Sequence, residues 1–258
     1  MSDPPNQPKA GQTRELNLNT MAEQFAAGLQ RHFDMLAFNL ASRECVTDEA
    51  YARRVQSPRM MPAAALHLDF EQMQAYAQDL MARQLLSDAL NLAVHCMNNT
   101  HLFVTLFKTQ TERGSLSQEA QKEAQEAHQA FARMPIDQKF NRLEEDFGLM
   151  SDMEDTLVSL GFALQALAQQ RGVVREPQID ENGVLTMELQ AAKPGVSGGD
   201  LWKQPGDLEA RERMFKEGEK ITFTDEDLQN ILLTVGLFGR NLFSSVSHYI
   251  RELRGDDR

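Results

Sequence analysis

The 258-residue sequence predicts a mainly α protein: an antiparallel helical bundle with one inserted β-hairpin and a Gly-rich loop. Apolar residues recur at intervals of three and four over several long stretches, as in amphipathic helices that face a core. One short region is instead rich in branched residues with turn signals, and a segment rich in glycine and proline follows it. No alternation of strands and helices is present, so a parallel-sheet nucleotide fold is not expected.

The composition is typical of a globular protein, with 41% hydrophobic and 25% charged residues. A net charge of -12 disfavours nonspecific attraction to nucleic acid, which could bind only through local patches, or to an anionic membrane surface. The longest apolar stretch is interrupted by asparagine and histidine, so no membrane helix is expected. Cys45 and Cys96 lack zinc-site spacing, so we expect reduced core residues of a cytoplasmic protein without metal or cofactor.

Four regions are expected along the chain. Residues 1–18 are polar and contain three prolines, which predicts a disordered tail. A helical bundle is expected over residues 19–172, and a β-hairpin and loop insertion over residues 173–220. A helix within residues 221–258 is then expected to complete the bundle.

The longest helical pattern begins at Asp69 and runs to about Phe107. Asp69 and Gln72 have the spacing of a capping box, in which each side chain satisfies the other residue's backbone amide. At a rise of about 1.5 Å per residue, this helix would be about 60 Å long. We therefore expect a kink or break within it.

The expected hairpin joins the runs VVREPQI and VLTMELQ through the pair Asn182-Gly183, which is typical of a tight turn between strands. Residues 191–207 hold four glycines and two prolines and are expected to form an exposed loop. Ser197 has the Gly-x-Ser-x-Gly spacing of a nucleophile but lacks the flanking strand and helix, so we interpret it as part of this loop. The charged segment at residues 208–220 is expected to be helical at best.

A polar face on the long helix is the first candidate site. Asp88, Asn91, His95 and Asn98 lie within about 100° of arc and carry a single formal charge. Three interpretations are open: an exposed amide face, a polar contact with a neighbouring helix or partner subunit, or the wall of a ligand site. The last of these would make the protein a small-ligand binding module.

A basic cluster is the second candidate site. The sequence RRVQSPR places Arg53, Arg54 and Arg59 in an expected loop next to Tyr51. Guanidinium groups could bind a phosphate or an acidic partner with two parallel hydrogen bonds. The alternative is a solvated loop.

A row of polar residues on the last helix is the third candidate site. Arg240, Ser244 and His248 follow each other at steps of four, away from the apolar stripe of that helix. An arginine and a histidine on one exposed face could position a phosphate and transfer a proton. These are the two roles that a metal-independent RNase requires.

The pair Arg240-Asn241, followed by His248, resembles the motif of the HEPN family of helical-bundle proteins. That motif is an arginine, a polar residue and a histidine further along a late helix, and many members are RNases, toxins or phage-defence effectors. The resemblance implies an RNase that uses Arg240, Asn241, Ser244 and His248. The alternative is a solvated or partner-facing side of the helix.

The favoured interpretation is a non-enzymatic helical protein that binds another macromolecule or itself as an interaction or accessory subunit. Leu233, Leu237 and Phe243 lie off the apolar stripe of the last helix, which predicts apolar surface outside the core. Such surface often marks an interface. We therefore expect a protein partner or self-association, and no membrane.

Overall fold

The computed structural model of the protein describes residues 17–55, 69–196 and 205–255. Within these ranges the fold is mainly α, as predicted, with seven α-helices and one antiparallel pair of strands. The elements are α1 (Leu18–Cys45), α2 (Asp48–Val55), α3 (Phe70–Arg113), α4 (Gln118–Ala132), α5 (Ile136–Phe147), α6 (Glu154–Gln169), β1 (Val184–Ala192), β2 (Leu208–Lys216) and α7 (Asp225–Arg254). Residues 1–16 of the predicted tail, Arg59 and Ser197 lie outside the described ranges.

Helix α7 lies at the centre of the bundle and packs against α1, α3 and β1. Thr224 caps its start, because the Thr224 hydroxyl accepts the amide of Asp227 and the Asp227 carboxylate accepts the amide of Thr224. This pairing satisfies two backbone groups near the start of the helix that lack an intrahelical partner. Its apolar stripe is fully buried at Leu228, Ile231, Leu232, Val235 and Phe238.

Two glycines of α7 allow α1 to approach closely. A Cβ atom at Gly239 would lie 2.2 Å from Cε1 of Phe25, and one at Gly236 would lie 2.9 Å from Cδ2 of Leu29. The Phe25 ring also packs edge-on against Phe243, with ring centroids 5.9 Å apart. The α1–α7 contact therefore has no room for a larger residue at either glycine.

We expect Gly239→Ala to destabilise the protein, although alanine favours helix by about 1 kcal/mol over glycine. The added methyl group overlaps the Phe25 ring, and such overpacking costs about 1–3 kcal/mol. Gly161 in α6 is the matched control, because a Cβ atom there meets nothing within 4 Å and alanine should stabilise by about 0.5–1 kcal/mol. Urea unfolding followed by circular dichroism measures both, and stabilisation by Gly239→Ala would contradict the close contact.

Helix α3 is continuous over 44 residues, so the expectation of a break is wrong. The predicted capping box is confirmed, with Asp69 accepting the amide of Gln72 at 2.8 Å, and Gly114 ends the helix in the left-handed conformation. Contacts with α1, α4, α5, α6 and α7 stabilise this length, which local propensity alone would not. No helix in the described ranges is long and apolar enough to cross a membrane.

The strand pairing differs from the prediction. The run VLTMELQ does form β1, but β1 pairs with β2, so the expectation that residues 208–220 are helical at best is wrong. The run before the Asn-Gly pair contributes one isolated bridge, between Val173 and Lys220, and a 3₁₀ turn at Glu176–Gln178. Pro177 lacks the amide hydrogen that a ladder requires, which disfavours a strand there.

Two ion pairs link the polar segment of β2 to the start of α7. Arg211 forms an ion pair with Glu226, and Arg213 lies 3.4 Å from the carboxylate of Asp227. Both acids belong to the first turn of α7. Phe215 is the residue of β2 that is buried in the core. Tertiary contacts, rather than local propensity, therefore determine that this segment forms a strand.

Strand β1 is joined to α7 by a buried hydrogen bond. The Thr234 hydroxyl accepts the amide of Gln190 at 2.8 Å. Ala191 and Ala192 still belong to β1, so the expected loop starts two residues later than predicted, and its residues 197–204 lie outside the described ranges.

The two cysteines differ in environment. Cys96 is buried, as predicted, and burial raises the pKa of its thiol to about 12. Cys45 is exposed at the end of α1, so the prediction that it is a core residue is wrong. Its position at the helix end leaves it outside the packed face of α1, which is formed by residues such as Phe25, Leu29 and Leu36.

Candidate functional site

The predicted RNase residues lie along α7 but do not surround a cavity. Arg240 and Asn241 are half-buried, whereas Ser244 and His248 are exposed. Nε2 of His248 lies 3.2 Å from the carboxylate of Glu252, one turn further along the helix. None of the four predicted residues lines any of the three cavities described below. RNase activity stays a prediction.

The apolar surface expected on α7 is largely covered. Phe243 is buried, so the expectation that it lies outside the core is wrong, and Leu237 packs half-buried against the core. Leu233 is also half-buried. Phe243 is covered by the close approach of α1, since its ring packs against Phe25.

The polar face on α3 does not form one site. Asp88 lines the largest of the three cavities, whereas Asn91 and His95 are exposed, and His95 lines only a small cavity of about 100 Å³. Oδ1 of Asn98 accepts a hydrogen bond from Nζ of Lys139 at 2.9 Å. Of the three interpretations, Asn98 therefore fits a polar contact with a neighbouring helix, here α5.

The basic cluster is only partly described. Arg53 and Arg54 are exposed in the last turn of α2, so their placement in a loop is wrong. Nε of Arg53 donates to the backbone carbonyl of Glu49 at 3.3 Å, within the same helix. Binding of a phosphate or an acidic partner by this cluster stays a prediction, because Arg59 lies outside the described ranges.

A groove between α1 and α3 is the largest of the three cavities, with a volume of about 580 Å³. The C-terminal half of α1, the N-terminal half of α3 and helix α2 form its walls. Its lining is mainly apolar and includes Met35, Leu36, Tyr51, Met73 and Met81. We call it the α1–α3 groove; its size and methionine content are typical of surfaces that accommodate an apolar partner.

The rim of the α1–α3 groove concentrates exposed apolar side chains. Met35, Val46 and Leu80 line it and are 56%, 48% and 45% exposed. Phe38 is 66% exposed one turn from Met35, and Tyr76 is 51% exposed one turn from Leu80. Three of the eight large exposed apolar residues in the described ranges thus line the groove, and two more lie one turn from them along the same helices, which selects this surface as the candidate interface.

The walls contributed by α1 and α2 are electrically balanced, although the chain is strongly acidic. Residues 31–55 contain four basic and four acidic residues, against a net charge of -12 for the whole chain. Arg43 is already paired with Asp225 at the start of α7, which fixes the end of α1 beside the groove. The net charge that α1 and α2 contribute to this surface is therefore close to zero.

Sequence reasoning missed this groove, although one signal was present. Phe25, Leu29 and Leu36 mark the core stripe of α1, and Phe38 lies well off that stripe on a helical projection. A large aromatic residue on the outward side of an amphipathic helix indicates a contact beyond the core. The separation of α1 from α3 that opens the groove depends on tertiary packing.

A buried histidine and a buried lysine form a second feature that the sequence analysis missed. His101 is 3% exposed and its ring stacks on Phe131 with centroids 4.1 Å apart. Lys139 is 1% exposed, donates to the carbonyl of Phe131 and holds its ammonium 4.5 Å from the centroid of that ring. Within the described ranges, Nδ1 of His101 has no hydrogen-bond partner.

Burial controls the protonation of this pair. Burial, together with repulsion from the nearby His128, Arg142 and Lys139, lowers the pKa of His101 to about 4. Burial also lowers the pKa of Lys139. His101 is therefore a neutral imidazole at neutral pH.

We expect the free energy of unfolding of the His101→Phe variant to fall less at acidic pH than that of the wild type. Between the ordinary histidine pKa of 6.5 and about 4, the unfolded chain binds a proton at His101 that the folded chain does not, so stability falls as pH falls through this range. The loss approaches about 3 kcal/mol near pH 4 and should be absent in the variant. Phenylalanine keeps the ring on Phe131.

Urea unfolding between about pH 7 and about pH 4 measures this difference. The exposed His95 on the same helix provides the control His95→Phe, which should keep the wild-type pH dependence. An identical pH dependence in wild type and His101→Phe would contradict the buried, neutral state of His101.

Comparison of the chain with family models, curated proteins and solved structures found no match. Within the described ranges, no group of three or more histidine, cysteine, aspartate or glutamate side chains could hold a metal ion. Function is therefore inferred from the surfaces and cavities of this chain.

Proposed function

We propose that the protein is a non-enzymatic helical protein that acts by self-association through the α1–α3 groove. The supporting observation is the concentration of exposed apolar side chains around one mainly apolar groove. Removing such surface from water is the main favourable term in most protein associations. This proposal keeps the function inferred from the sequence and moves its surface from α7 to α1 and α3.

The arrangement of the groove favours a second copy of the chain as the occupant. In a twofold dimer, the same surface of each subunit must carry both a projecting residue and the recess that receives it. Phe38 is 66% exposed and lies one turn from Met35, which lines the groove. Each copy can therefore offer its Phe38 to the groove of the other.

Charge supports the same choice of surface. Two chains that each carry a net charge of -12 repel each other, so their contact must lie where local charge is low. The balanced residues 31–55 meet that requirement. A dimer through this surface keeps most of the acidic residues apart and hydrated.

We expect Phe38→Glu to weaken self-association at least about tenfold, or about 1.4 kcal/mol, because a carboxylate would enter an apolar recess. Met150→Glu is the matched control, since Met150 is 68% exposed, lies outside the groove and receives the same charge. Sedimentation velocity over a micromolar concentration series measures the dimer dissociation constant of all three proteins. Circular dichroism melting checks that the variants remain folded.

Several results would contradict this proposal. A strictly monomeric wild type would exclude self-association, and equal weakening by both variants would show that added charge, not the groove, is responsible. A monomer that captures a different protein through Phe38 would assign the groove to a heterologous partner. Metal-independent RNA cleavage that is lost in His248→Ala would favour the RNase alternative.

A further inference from the structure

We propose that a second cavity, between α3, α4 and α5, binds a zwitterionic α-amino acid with a branched or aromatic apolar side chain. The cavity has a volume of about 350 Å³ and shares no lining residue with the α1–α3 groove. This volume lies at the lower end of the range for small-ligand sites. The proposal is independent of self-association.

The mouth of the cavity carries two pairs of opposite charges. Lys108 and Glu112 lie one turn apart on α3, and Arg142 and Asp146 lie one turn apart on α5. Nε of Arg142 lies 2.8 Å from the carboxylate of Asp146, so this pair is internally satisfied. The ammonium of Lys108 donates to the backbone carbonyl of Asp146 at 3.5 Å. Within the described ranges it forms no ion pair, and Glu112 has neither an ion pair nor a hydrogen bond.

Apolar and polar side chains both line the cavity, and one buried polar atom among them has no partner within the described ranges. Phe131 and Phe147 line it, and the His101 ring lies between them at centroid distances of 4.1 and 5.8 Å. His101 is 97% buried, and Nδ1 has no partner within the described ranges. Buried polar groups in folded proteins normally have a partner, so this imidazole indicates a place where a polar ligand or water completes the structure.

The equal numbers of positive and negative side chains that line the cavity indicate which class of ligand it binds. Two cationic and two anionic side chains surround a neutral imidazole, so a simple anion or cation would leave one lining charge without a partner. An α-amino acid carries a carboxylate and an ammonium close together. Its carboxylate pairs with Lys108 and its ammonium pairs with Glu112. Its apolar side chain lies against Phe131 and Phe147, and water completes Nδ1 of His101.

Calorimetric titration of the full chain with leucine and phenylalanine tests the ligand class. The informative analogues lack one charge each: 4-methylpentanoate and 3-methylbutylamine for leucine, and 3-phenylpropionate and 2-phenylethylamine for phenylalanine. We expect at least one amino acid to bind, and its own two analogues to bind at least about tenfold more weakly. Absence of amino-acid binding up to about 10 mM, or equal binding of either analogue, would overturn the proposal.

Substitutions locate the site. Lys108→Met and Glu112→Gln should each weaken amino-acid binding at least about tenfold. Lys122 and Glu126 form a comparable pair on the exposed face of α4, 3.8 Å apart and outside the cavity, so Lys122→Met and Glu126→Gln are the matched controls. Unchanged binding in the two cavity variants, or equal weakening in the controls, would exclude this cavity.

The two proposals fail separately. Phe38→Glu should bind the amino acid as the wild type does, because Phe38 lies outside this cavity. Lys108→Met should likewise keep the sedimentation behaviour of the wild type. Thermal melting of each variant distinguishes loss of the site from loss of the fold.

Discussion

The close approach of α1 to the backbone of α7 is the contact on which the bundle depends. Gly236 and Gly239 remove the side chains that would separate the two helices, and the rings of Phe25 and Phe243 fill the space beside them. Helix α1 packs on one side of α7, and α7 contacts α3 and β1 on its other sides. One helix thus supplies the centre around which the remaining layers are arranged.

The inserted strands depend on the same helix through polar contacts. The negative charges in the first turn of α7 interact favourably with the helix dipole. Two of these carboxylates, on Glu226 and Asp227, also pair with Arg211 and Arg213 of β2. At the other end of the sheet contact, Thr234 accepts the buried amide of Gln190. Since the exposed ion pairs contribute little on their own, the buried hydrogen bond and the Phe215 contact position the insertion.

Sequence reasoning succeeded where the physical cause is local. Helical phase and capping residues such as Asp69 and Thr224 depend on neighbours within one turn, so helix positions could be predicted. The partner of β1 could not, because the pairing of this charged segment depends on contacts that are distant in sequence, such as the burial of Phe215 in the core. The continuity of α3 also depends on its lateral neighbours, which the length argument ignored.

The candidate sites show the same division. Lys139 shares a helical face with Phe140 and Leu143, and His101 shares one with Met97 and Val104, so their burial had a local signal. Which cavities those faces border depends on how the helices pack. The predicted polar residues of α3 and α7 were correctly placed on helices, but helix phase alone does not show whether side chains from different helices converge.

The unbroken length of α3 has one more consequence. Its first half forms a wall of the α1–α3 groove, and its last turns carry Lys108 and Glu112 at the second cavity. Because one continuous helix spans both regions, its backbone hydrogen bonds fix the distance between the groove wall and the second cavity.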